Sequence, residues 1–181
     1  ANESLAISYQ KNGQYERAID CLQKTLSVRL EILGADNRYV ASTYNRIGTN
    51  HELSKQYDLA IGNYEKALPI IEVLVEGDAK DPGLPVWGFV SAFNTNQYDL
   101  AADYLALAEE KQALTNPETI TEPAQKDFMK TAWKYATLLD TYRETWAQEQ
   151  AIRAAEAAAD DLPRVKLQTS KGDVVIELFE N

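Results

Sequence analysis

The 181-residue chain has one cysteine (Cys21), one histidine (His51), one methionine, six prolines and eight glycines. A single cysteine excludes an internal disulfide and a cysteine-based zinc site. One histidine with no companion nucleophile offers no histidine-centred catalytic or metal cluster. Basic residues are the minority, 18 against 28 acidic ones, for a net charge of −10. No basic stripe is present to neutralise phosphates, so neither a nucleic-acid partner nor an anionic membrane surface is expected. No apolar run approaches the roughly 20 residues of a membrane span, and no leader is recognisable. The chain opens on Ala1 rather than Met, which reads as a processed or cloned start. Localisation therefore stays open between cytoplasm and periplasm.

What is present favours helix. Breakers are sparse, while Ala, Leu, Glu, Gln and Lys are plentiful. At 45% hydrophobic the chain can bury a core. An internal repeat organises it. Leu5, Ala6, Tyr9, Gly13, Tyr15, Ala18, Leu22 and Thr25 recur 42 residues later as Ile47, Gly48, His51, Lys55, Tyr57, Ala60, Tyr64 and Ala67. A looser third copy carries Tyr98, Ala101, Leu105 and Ala108. Small residues at fixed points let two helices cross closely, and large ones fill the space between them and the next pair.

This pattern resembles the tetratricopeptide repeat, and its long spacing resembles the kinesin-light-chain subtype rather than the usual unit of about 34 residues. The resemblance implies an all-α solenoid of about four helix pairs over residues 1–161. Helices are expected at 2–12, 15–33, 38–54, 57–76, 84–95, 97–113, 124–140 and 142–160. Asp36 or Asn37 caps the third, and Pro123 suits the first position of the seventh. The last, Ala-rich helix is expected to close the stack, and the Asp160-Asp161-Leu162-Pro163 stretch to end it.

Residues 162–181 change register. Val165, Leu167 and Thr169 alternate with polar residues, Ser170-Lys171-Gly172-Asp173 reads as a turn, and Val174, Ile176 and Leu178 resume the alternation. A β-hairpin is expected. The order Val165-x-Leu167-x-Thr169-x-x-Gly172-Asp173-Val174-x-Ile176-Glu177-Leu178-Phe179 is similar to the first two strands of a cyclophilin-type peptidyl-prolyl isomerase. That resemblance implies the start of a truncated β-barrel domain, in a parent protein that twists X-Pro bonds. The arginine, glutamine and aromatics with which the family works fall after its second strand. None can be placed on this sequence, so residues 1–181 are expected to have no isomerase activity of their own.

The tetratricopeptide resemblance implies an inner, concave face built from the first helix of each pair and used to hold an extended peptide. Glu3, Ile7, Gln10, Asn45, Thr49 and Glu52 should lie on it, with Arg46 at its edge. Asn45 is the leading candidate, because an amide can hold a peptide backbone through a donor and an acceptor. Glu3 and Ile7 stand where the carboxylate clamp of chaperone-binding members needs a lysine and an asparagine. The acidic balance points to neutral or basic peptides instead. His51 and Cys21 are expected in the core, and Trp87, Trp133 and Trp146 as packing anchors. No catalytic residue, metal site or cofactor is expected. The leading expectation is a protein-interaction scaffold attached to a cyclophilin-like isomerase; the alternative is a stand-alone peptide-binding adaptor.

Overall fold

A computed structural model describes residues 2–77, 81–159, 164–169 and 172–177. The chain divides into two compact units, residues 1–140 and 141–181. In the first, three helix pairs follow one another: α1 (Asn2–Lys11) with α2 (Tyr15–Leu33), α3 (Arg38–Leu53) with α4 (Tyr57–Glu76), and α5 (Leu84–Asn94) with α6 (Tyr98–Glu110). Each helix packs on its neighbour in sequence, and α3 also meets α5. This is the arrangement of an α-solenoid. No helix of the described residues is long and apolar enough to cross a membrane.

Every pair turns at the same place. Gly13, Lys55 and Asn96 adopt φ of 69°, 63° and 58°. The next N–H, of Gln14, Gln56 and Gln97, donates back to the carbonyls of Tyr9, His51 and Ala92 at 2.9, 2.8 and 2.9 Å. These bonds close a Schellman cap, which requires one left-handed residue. Only the first pair supplies a glycine there. The shared Gln-Tyr dipeptide that follows is the more constant mark.

A second constant is a close approach 16 residues apart. A Cβ on Gly48 would come within 2.9 Å of the Tyr64 ring, and one on Gly88 within 2.8 Å of the Tyr104 ring. Ala6 and Leu22, each 1% exposed, hold the same two positions in the first pair. Around these contacts lie Ala18, Ile19, Cys21 and Ile47 at one end and Phe89, Val90 and Phe93 at the other, all buried. Cys21 is thus a buried free thiol. His51 is also buried, its Nδ1 2.8 Å from Gln56 Oε1.

Between α2 and α3 the choice of cap is Asn37, whose side chain accepts from the Tyr39 N–H at 2.9 Å. Two expectations need correction. Residues 124–140 and 142–160 are not two helices but one, α7 (Pro123–Ala159). The stretch from Leu138 to Arg143 has no glycine or proline to end a helix, so the fourth pair is a single long helix. The burial of α7 also falls in its first half. Met129, Ala132, Tyr135 and Leu139 form its buried stripe, whereas no residue from 141 to 158 is buried. Trp133 is 43% exposed and serves as an anchor through its indole N–H, which donates to the Thr115 carbonyl at 3.0 Å.

In the second unit, β1 (Arg164–Thr169) and β2 (Gly172–Glu177) pair antiparallel, with Arg164 opposite Glu177 and Thr169 opposite Gly172. The stop at residues 160–163, the turn residues Ser170 and Lys171, and the Leu178–Phe179 finish lie outside the described residues.

Two outcomes follow for the helical core. Gly88→Ala would gain about 1 kcal/mol in an unobstructed helix. Against the Tyr104 ring it is expected to lose about 1–3 kcal/mol instead, measured by urea unfolding. A gain would show that the close approach does not constrain the pair. Burial pushes the Tyr64 phenol well above its ordinary range, with the Glu52 carboxylate adding to it. Burial, then Glu72 and Glu76, push Tyr104 up to about 12. An unfolded tyrosine ionises near about 10. Both rings therefore contribute stability that is complete below that pH and is lost as pH rises through the folded values. The melting temperature should fall above about pH 10. A Tyr64→Phe/Tyr104→Phe variant should show a flatter fall, and an equally steep one would contradict the assignment.

Candidate functional site

The inner face is formed by α1, α3 and α5, and the first half of α7 runs against it. Two cavities remain there. The larger, of about 710 Å³, takes in Glu3, Ile7, Asn45, Arg46 and Thr49 among its lining. The smaller, of about 250 Å³, takes in Gln10 together with Ile7, Arg46 and Thr49. Six of the seven sequence candidates thus lie in one connected region. Glu52 does not line either cavity.

The polar groups of this face are largely engaged with one another. The Glu3 carboxylate accepts from Arg29 Nη2 at 2.8 Å and from Arg46 Nη1. Arg29 also donates to Thr43 Oγ1 at 2.6 Å and to the Tyr39 carbonyl at 3.2 Å. Glu3 therefore ties α1 to α2 and α3. Thr49 donates to the Asn45 carbonyl at 3.0 Å. Gln10 receives a long bond of 3.4 Å from Asn50 Nδ2, whose stronger bond, at 2.8 Å, is to the Arg46 carbonyl.

Asn45 is placed differently from the expectation of an open amide. It is 3% exposed. Its Oδ1 accepts from the Ser91 hydroxyl at 2.6 Å, so the acceptor half is already used by α5. Its Nδ2 has no hydrogen-bond partner. A buried donor left unmade costs about 1–3 kcal/mol. What Asn45 offers at the cavity is one unsatisfied amide NH2 group.

Glu52 is a second correction. Its Oε2 accepts from Tyr64 at 2.9 Å, and its Oε1 accepts from Tyr135 of α7 at 2.7 Å. The same Tyr135 hydroxyl lies 3.2 Å from Asn94 Oδ1, a second and weaker acceptor for its single proton, and its ring stacks on Phe93 with centroids 4.2 Å apart and planes 9° apart. The position expected to meet a foreign peptide meets the chain's own helix. The repeat alignment assigns Glu52 to α3 but says nothing of what else reaches it.

Several lining residues had no signal in the sequence beyond being apolar or charged. Val86, Trp87, Phe128 and Met129 form the apolar wall of the larger cavity. Arg38 and Asp81 pair at its rim at 3.0 Å, and Asp81 Oδ1 accepts from the Gly83 N–H ahead of α5. Lys111 lies on the same rim with no carboxylate partner among the described residues. Around the cavity the charges of Glu3, Asp81 and Glu122 balance those of Arg38, Arg46 and Lys111. Such a site has no net pull for a highly charged ligand of either sign. Among the described residues no group of three or more metal-ligating side chains comes together.

No curated protein matches the chain. Residues 1–72, from α1 into α4, match the Tetratricopeptide repeat family model, and repeats of that kind generally mediate protein–protein interactions. Past the matched residues, α5 and α6 keep the same turn and the same 16-residue approach.

Proposed function

We propose that the helical unit is a protein-interaction scaffold whose inner face holds a peptide segment of a partner, with the larger cavity as the entry point. The unsatisfied Asn45 Nδ2 carries this reading. A backbone carbonyl from an extended segment is the acceptor that would complete it. The wall of Val86, Trp87, Phe128 and Met129 supplies apolar surface for one side chain. The charge balance around the rim supports neutral or mildly basic segments over acidic tails, as does the chain's net charge of −10.

The finer reading attaches this scaffold to chemistry. Residues 162–181 are proposed to open a cyclophilin-like domain, on the strength of the Gly172-Asp173-Val174-x-Ile176-Glu177-Leu178-Phe179 order. The scaffold would then position an isomerase on its clients. An open reading frame that continues past Asn181 into a barrel-length series of strands supports this; an immediate stop leaves the adaptor alone.

The direct test of the binding face uses peptides of equal length and acidic, neutral or basic composition, read by fluorescence anisotropy against the whole chain. Neutral or basic members should bind best. Asn45→Leu should weaken them by roughly 5–30-fold, the equivalent of one hydrogen bond of about 1–2 kcal/mol. Ser91 keeps its bond to the Trp87 carbonyl in that variant, and circular dichroism checks that the helices persist. Tightest binding by acidic peptides, or no effect of Asn45→Leu, would overturn the reading.

A further inference from the structure

The first half of α7 occupies the inner face in a way that identifies a second kind of partner. Phe128 lines both cavities, and Ile7, Arg46 and Thr49 line both with it. The ring therefore stands as a wedge between them. Beside it and about one, two and three turns on, Met129, Ala132, Tyr135 and Leu139 form a buried stripe. Tyr135 finds acceptors on two different inner helices, Glu52 on α3 and Asn94 on α5, and lays its ring on Phe93. Aromatic rings at positions i and i+7 of one helix thus meet matched seats about two turns apart.

We propose that the inner face is a docking surface for an amphipathic helix, filled in this chain by α7 acting as its own ligand. The partner class is a helix carrying aromatics at i and i+7, the second with a hydroxyl, and small or apolar residues at i+1, i+4 and i+11. This rests on the inner face being an interaction surface. It differs from the peptide reading in taking a helix and in not using the Asn45 amide. The fit of α7 is deliberately partial: cavities of about 250 and 710 Å³ stay open on either side of Phe128, and the buried stripe is narrow. A tethered segment experiences an effective concentration in the millimolar range, so modest complementarity keeps it seated. A free helix of better fit can exchange with it.

The test uses the whole chain and a fluorescein-labelled synthetic peptide of residues 122–142 as the probe. Phe128→Ala/Tyr135→Ala loosens the resident helix, and this variant should bind the probe at least tenfold more tightly than the native chain. A probe carrying Lys134→Pro, at an exposed position where only helicity is lost, should bind at least tenfold more weakly. Equal binding by native chain and variant overturns the proposal, and so does equal binding of the proline probe. Should the double variant fail to fold, Tyr135→Phe keeps the stack and removes only the hydroxyl bonds. Amide exchange over residues 129–139 should then quicken at least fivefold while α2 is unchanged, and unchanged exchange there also overturns it. The peptide reading is judged on extended peptides with Asn45→Leu and this one on the helical probe with Phe128→Ala/Tyr135→Ala, so failure of the one and failure of the other are separable.

Discussion

The carboxylate of Glu52 joins the two layers of the helical unit. One oxygen accepts from Tyr64, the residue whose ring fills the space left by Gly48. The other accepts from Tyr135, the residue that seats α7 on the inner face. A hydrogen bond to a charged group contributes about 1.5–3 kcal/mol, and leaving such a group unpaired costs more. The repeat's interior packing and the covering of its inner face are therefore coupled through one side chain. Tyr64 can hold its hydroxyl toward Glu52 only because Gly48 admits its ring.

The same coupling explains why the inner face is divided. Cross-links among α1, α2 and α3 through Glu3, Arg29 and Arg46 fix one end. Asn45 and Ser91 fix α3 to α5 in the middle. With these groups satisfied internally, the face presents few free polar groups. The Asn45 N–H stands out for that reason, and α7 needs only its aromatic residues and one hydroxyl to stay on it.

Much of this was legible in the sequence. The 42-residue offset set the helix pairs and aligned the small residues Ala6 and Gly48 and the large ones Leu22 and Tyr64, though not the contact between Gly48 and Tyr64. The third repeat could be seen through Tyr98 and Ala101 but not through Gly88 and Tyr104, because a glycine inside an apolar run carries no periodic signal of its own. Helix boundaries were nearly right wherever a left-handed turn residue ended them. The break expected near residue 141 was wrong because it came from the logic of pairs, without a breaker in the local sequence. Repeat register assigned the candidate residues to α1 and α3, and six of the seven line the two neighbouring cavities. Their engagement was not legible, since Ser91 reaching Asn45 and Tyr135 reaching Glu52 are contacts across 46 and 83 residues, and no local pattern encodes them.

A double-mutant cycle between Glu52→Gln and Tyr135→Phe, read as unfolding free energy, tests this coupling most directly. The two changes should be non-additive, with an interaction energy of about 1–2 kcal/mol, as for partners in one buried network. Additivity to within about 0.3 kcal/mol would mean that α7 is held independently of the repeat interior, and would contradict the account.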